Sequence, residues 1–205
     1  MQFEADAAVD KAMHLFWRQG YAATTPQELA TELGIGKGSL YNTFESKHAL
    51  FVQALRRYSA LRLDYLDGML DSPGPIAPRL EQAVRALAGV GAHTRGCVMV
   101  NAAAELGAVD AEVNGIAAEL FAGIEAAFAR AISRGAGTGE FTDTARAATA
   151  PGQLLATTIG LSVLAKSGAP LVATLAALDA TVAGLAGGQA AGVNSAIPAA
   201  TATSR

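Results

Sequence analysis

Residues 34–44 read GIGKGSLYNTF, and the reading of this stretch decides the fold. Two glycines around a lysine, with a serine behind, suit a loop that cradles phosphate; they also suit a tight turn between two helices. A phosphate loop of the G-x-x-x-x-G-K-[ST] kind needs an early glycine for its tight backbone and a hydroxyl directly after the lysine to hold magnesium. Counting back from Gly36 and Lys37, the early position is Thr31, and the residue after Lys37 is Gly38. No strand-like run precedes the stretch. The nucleotide-dependent enzyme stays as a rival that a nucleotide titration would expose.

The turn between helices fits on spacing. A helix–turn–helix needs a small residue where the helices cross, a glycine in the turn and apolar residues that lock the pair. Ala30 lies four residues before Gly34, with Leu29, Leu33, Ile35 and Leu40 at the locking positions. Upstream, TTPQELATEL (24–33) opens a helix with complete start chemistry: Thr25 as N-cap, Pro26 at the first helical position and Glu28 completing the capping box. A third helix is predicted from Lys37 to Phe44, and Ser46 caps a long fourth one. Before them, Val9, Met13, Phe16 and Trp17 recur at helical spacing up to Gly20. The outer side of the third helix is then Lys37, Gly38, Ser39, Asn42 and Thr43, small or hydrogen-bonding residues that suit base edges and phosphates in a major groove. Gly38 lacks a side chain, which lets its backbone approach DNA closely.

FWRQGYAATTPQELATELGIGKGSLYNTFESKHALF (16–51) resembles the DNA-binding domain of the TetR family of transcriptional regulators. The shared elements are G-Y-x-x-T-T, the capped helix, G-x-x-K-G-S-L-Y-x-x-F and S-K-x-A-L-F. The detailed likeness covers 9–55, and the helical remainder matches the family's architecture more loosely. The resemblance implies that Thr24 and Thr25 contact backbone phosphate and that Lys37, Gly38 and Ser39 enter the major groove. It places Tyr41 and Asn42 against phosphate or base edges and Lys47 on a phosphate. Helix N-termini favour anions, which gives Thr25 and Lys47 a physical reason to be there. From the residues alone, Tyr41 reads equally as a half-buried core ring and Lys47 as a solvated lysine. The chain departs from the family in its first residues. A basic arm often precedes a phenylalanine that Phe3 matches, and here only Met1 and Gln2 stand before it. Across 1–60 six basic residues face six acids, so DNA affinity is expected to fall with salt on a log–log slope shallower than about −8.

The whole chain has 205 residues, 51% hydrophobic and 16% charged, rich in Ala and Gly; this composition favours helix, and the expectation is an all-α protein. A net charge of −3 and a pI near 5.6 announce no nucleic acid globally, but a DNA reader needs only a local positive face. The acidic, amphipathic N-terminus argues against a secretory signal. The break DSPGPIAP (71–78) separates the head from an Ala-rich remainder, with helices expected near 78–92, 97–107, 110–134, 143–166 and 170–186. We divide the chain into a DNA-binding domain at 1–50, a ligand-binding and dimerisation domain at 51–187 and a disordered tail at 188–205. Pro151 is expected to kink or divide the penultimate helix. Between Arg146 and Lys166 no charge occurs, yet the apolar run is shorter than the roughly 20 residues of a membrane span, and a buried or interface helix is expected rather than a membrane contact.

A recognition helix covers only a few base pairs, so such readers pair across two-fold symmetric sites. The last two helices, 143–166 and 170–186, are apolar on more than one side and are the expected homodimer face. The resemblance also implies a ligand pocket among the middle helices. Its candidates are Tyr58, Arg62 and Tyr65, then Met99, Asn101 and Glu105, then Phe121, Glu125 and Phe128, each of which also reads as core or solvated surface. Few polar groups are available, so the effector is expected to be small and largely apolar. Cys97, beside Arg95 in TRGCVMVN, suits either a low-pKa thiol sensor or a small buried hydrophobe. The single cysteine allows no intrachain disulfide, and His14, His48 and His93 show no metal-ligand spacing. With no catalytic set, the expectation is a cytoplasmic, ligand-responsive repressor without enzyme activity or cofactor. Its rival in the binding class is a helical architectural protein that reads no specific operator.

Overall fold

The computed structural model describes residues 2–91 and 95–187. Among the described residues the chain is built of α-helices without strands: α1 (Gln2–Gln19), α2 (Pro26–Leu33), α3 (Lys37–Phe44), α4 (Lys47–Leu70), α5 (Ala77–Ala88), α6 (Val98–Leu106), α7 (Ala111–Gly137), α8 (Thr144–Ser167) and α9 (Val172–Leu185). The expected disordered tail at 188–205, His93 and the side chain of Phe3 lie outside the described residues.

The short helices owe their limits to local chemistry. Thr25 Oγ1 accepts from the Glu28 N–H at 3.2 Å, and the Glu28 carboxylate accepts from the Thr25 N–H at 2.8 Å, closing the capping box. Such a cap is worth about 1 kcal/mol. Gly34, at φ 71°, ends α2 in the left-handed region that a side chain would resist. Ser46 caps α4 through the Ala49 N–H, and the Asp110 carboxylate caps α7 through the N–H groups of Glu112 and Val113.

α1 packs on α2 and α4, and α3 is wedged between α2 and α4. The boundary expected at residues 50 and 51 lies inside α4. The early turns of α4 meet the head, with Phe51 against Phe16, while its end meets the body, with Asp67 bound to Arg130 of α7. α7 and α8 lie side by side, with α5 and α9 closing over α8. One core runs through both parts, from Leu29 and Leu55 to Leu80, Phe128 and Leu161.

The division expected at Pro151 is absent: α8 runs unbroken from Thr144 to Ser167. Proline removes one backbone hydrogen bond but does not forbid helical φ, and packing against α5, α7 and α9 holds the segment on both sides of it. By length and composition α8 could cross a membrane. In the fold, Leu154, Thr158, Leu161 and Ser162 are instead buried against its neighbours. Apolar surface stays exposed at Val163 (51%) and Val172 (79%).

Candidate nucleic-acid interface and central cavity

α3 buries Leu40 and Phe44 and turns Lys37, Gly38, Ser39, Asn42 and Thr43 to solvent. Tyr41 joins the outer side at 41% exposure, so its ring is not part of the core. Among the described residues Lys37 has no ion pair. A Cβ placed on Gly38 would meet nothing within 4 Å, and its φ is not positive. Packing therefore does not require glycine there, although an exposed helical glycine costs about 1 kcal/mol against alanine.

α3 is turned into α4 by Glu45, whose φ of 62° and ψ of −50° place a non-glycine residue in the left-handed half of conformational space. The Ser46 N–H donates to the Phe44 carbonyl at 2.6 Å, forming a three-residue γ-turn of the strained hand. This turn sets the angle at which α3 is presented.

Three expected phosphate ligands carry hydrogen bonds within the chain. Thr24 is fully buried, and its hydroxyl donates to the Gly20 carbonyl at 2.6 Å; this corrects its expected role. Lys47 Nζ donates to the carbonyls of Tyr21 and Thr24, each at 2.8 Å, and lies 4.1 Å from the centre of the Tyr21 ring. A cation at a helix N-terminus opposes the helix dipole. The two carbonyls offset that and make Lys47 a strut between the α1–α2 loop and α4. The Thr25 hydroxyl is held by Glu28, whose carboxyl lies below its usual range because the Thr25 N–H and hydroxyl bind its charged form.

Polar links join the head to the segment from Gly96 to Asp110. The Glu105 carboxylate accepts from the N–H groups of Tyr21 (3.0 Å) and Ala22 (2.7 Å), Trp17 Nε1 donates to the Gly96 carbonyl (3.0 Å), and His48 Nε2 lies 2.7 Å from the Asp110 carboxylate. The Asp110 carboxyl is held below its ordinary value, first by the Val113 N–H and then by His48. Burial raises the Tyr21 hydroxyl, and the charges of Asp110 and Glu105 act in the same direction.

Between α4, α5, α6, α7 and α8 lies a narrow cavity that admits a water-sized body and little more. Of the expected pocket residues, Tyr58, Arg62 and Phe121 line it. The others do not line this cavity. Met99 and Phe128 are fully buried core, and Tyr65 is half exposed on an outer cleft of α4. Asn101 joins the Arg95 carbonyl to Lys166 at the surface, Glu105 holds the α1–α2 loop, and Glu125 is exposed beside Gly152. Helical spacing places such residues on one face of a helix but does not say whether that face meets core, cavity or water. Reading pocket residues from the sequence missed the α8 wall, in which Thr158 and Ser162 stand one turn apart in an otherwise apolar run. It also missed Cys97 as a lining residue. The Tyr58 hydroxyl donates to Cys97 Sγ at 3.2 Å, and the Cys97 N–H donates to Ser162 Oγ at 2.7 Å. Burial pushes the Tyr58 phenol far above its ordinary value, so it is a neutral donor.

Residues 8–54 match the sequence model for bacterial regulatory proteins of the tetR family, and residues 73–178 match the tetracyclin repressor-like C-terminal domain. The chain is similar to the HTH-type transcriptional repressor ComR of Escherichia coli (strain K12), 46% identical over 56 residues, 27% of each chain. It is similar to the uncharacterised HTH-type transcriptional regulator YezE of Bacillus subtilis (strain 168), 29% identical over 111 residues, 51% of this chain and 55% of YezE. The matched part thus spans from about a quarter to about half of these relatives. Among solved structures, a cysteine mutant of the TetR family regulator CifR complexed with 26-base-pair operator DNA superposes with a TM-score of 0.73. It is 24% identical and covers 88% of this chain and 95% of CifR, a likeness of fold.

Proposed function

The chain belongs to the TetR family of bacterial regulatory proteins, and from there we propose that it is a ligand-responsive transcriptional repressor. It binds a palindromic operator as a dimer in the cytoplasm and leaves when a small molecule fills the central cavity. The observation that carries this reading is the outer side of α3, where Lys37 has no ion pair among the described residues and Gly38 is a glycine that internal packing does not need. Lys37, Gly38, Ser39, Tyr41 and Asn42 are the contacts we assign to DNA, with Thr25 reduced to shaping the start of α2. ComR is named a repressor, and the CifR complex holds operator DNA on the same fold. Exposed Val163 on α8 and exposed Val172 on α9 support pairing through these two helices.

A ligand releases DNA only by binding one head arrangement more tightly than another. The polar links at Trp17, Glu105 and His48 give a shift of α4 or α6 a direct hold on the head. The test is enrichment of random duplex DNA on the purified full-length protein, with its mass read by light scattering. The expected result is a palindrome of two half-sites bound by a dimer. Equal affinity for all sequences would replace the regulator with an architectural protein, and a monomer at micromolar concentration would reject the α8–α9 interface.

A further inference from the structure

We propose that Arg62, on the wall of the central cavity, binds the carboxylate-like group of an amphipathic monoanion, whose apolar body enters as the walls part, since the closed cavity has room for little more than water. The proposal deepens the effector reading above and rests on it. Arg62 is the one cation on a wall otherwise made of Leu, Ile, Val and Phe with a few small polar groups, and no acid lines the cavity. Those polar groups already have partners: Tyr58 with Cys97, Ser162 with the Cys97 N–H, and Thr158 with the Leu154 carbonyl.

Most other arginines find carboxylates, among them Arg18 with Glu32, Arg57 with Asp10, Arg85 with Asp179, Arg130 with Asp67 and Arg134 with Asp71; Arg79 binds the carbonyls of Leu70 and Pro75, and Arg95 lies over the Trp17 ring. Among the described residues Arg62 has no carboxylate partner. It lies over aromatic rings instead, 5.0 Å from the centre of Tyr58 and 6.0 Å from that of Trp17. A part-buried cation beside apolar walls gains more from an arriving anion than it would in water, because the local dielectric is low. Ring contacts are weaker substitutes for that pairing.

The same residue reaches the head. Trp17 belongs to α1, and its indole N–H is bonded to Gly96, next to Cys97 in the cavity wall. An anion that draws Arg62 toward the cavity takes it off the Trp17 ring. Binding and signalling thus share one side chain.

Trp17 is the only tryptophan in the chain, so its emission reports on its surroundings, in which Arg62 and Arg95 both lie over the ring. The experiment titrates the full-length protein with straight-chain carboxylates from butyrate to decanoate and with phenylacetate, each against its neutral amide. Calorimetry reads binding and tryptophan emission reads the link. Carboxylates are expected to bind at least about tenfold more tightly than their amides, the effect of one charged hydrogen bond, and to shift the emission. R62Q is expected to remove that preference, and R62K to restore part of it, since lysine keeps the charge but loses the planar fork. Equal affinity for acid and amide, no carboxylate binding across the series, or undiminished carboxylate binding in R62Q would overturn the proposal. The amide comparison on the unmodified protein stands whether or not the variants fold. None of these titrations contains DNA, so a failure of operator enrichment rejects the regulator and not the site.

Discussion

The outer side of α3 and the seam between α4 and α7 are both polar surfaces, but they are finished differently. Along the seam, Arg56 faces Glu112, Arg130 faces Asp67 and Arg134 faces Asp71, so each cation meets a carboxylate of the neighbouring helix. On α3, Lys37, Ser39 and Asn42 are exposed and have no side-chain partner among the described residues. The same kinds of residue close one surface inward and leave the other available to a polyanion. Composition cannot separate the two cases, because the difference lies in which helix comes to lie alongside.

Four experiments can break or sharpen this contrast. The largest effects come from the layer beneath each surface. Leu40→Ala under α3 and Leu66→Ala under the seam should each lower stability by about 2–5 kcal/mol. Because one core joins the two regions, both should shift a single unfolding transition; two separate transitions would divide the molecule. Next, Lys37→Ala and Gly38→Ala should each weaken operator binding by about 1–3 kcal/mol in a binding titration. Gly38→Ala should at the same time stabilise the fold by up to about 1 kcal/mol, because alanine is the better helix former. Stability gained with affinity unchanged would mean that α3 does not face DNA at Gly38.

Third, Glu45→Gly should relieve a strain of about 1–3 kcal/mol, less the roughly 0.5–1 kcal/mol that glycine loses in chain entropy. A net gain is expected by chemical denaturation, and a loss would show that the Glu45 side chain holds the turn. The smallest effect belongs to the seam: Arg130→Ala removes an exposed pair worth about 0–1 kcal/mol and should leave operator affinity unchanged. An affinity change there as large as that of Lys37→Ala would erase the distinction between the two surfaces.

Much of the head was legible because its signals are short-ranged. Thr25, Pro26, Glu28 and Gly34 determine both ends of α2 within ten residues of sequence, and the structure forms the capping box they announce. Thr24 stands beside Thr25 with the same side chain and is fully buried, since one step along the chain turns its hydroxyl to Gly20. Lys47 reads as a surface cation until its partners, the carbonyls of Tyr21 and Thr24, are brought to it from a different loop. In the pocket, Tyr58, Arg62 and Phe121 were legible as candidates, while Met99 and Phe128 had the same helical credentials and went to the core.

By itself the sequence determined that the chain is helical, where α2, α3 and α4 begin, and which residues form the outer side of α3. Each of these follows from contacts within about one helical turn, whose energies do not wait for the rest of the fold. Only the tertiary structure decided that Glu105 holds the loop at Tyr21 and Ala22, that α8 supplies a wall of the cavity and that Arg62 stands there without a carboxylate. Glu105 and its partners are 83 and 84 residues apart, and such pairs leave no periodic trace in the chain. They exist because packing the apolar faces brings particular polar groups together, and burial then requires those groups to find partners.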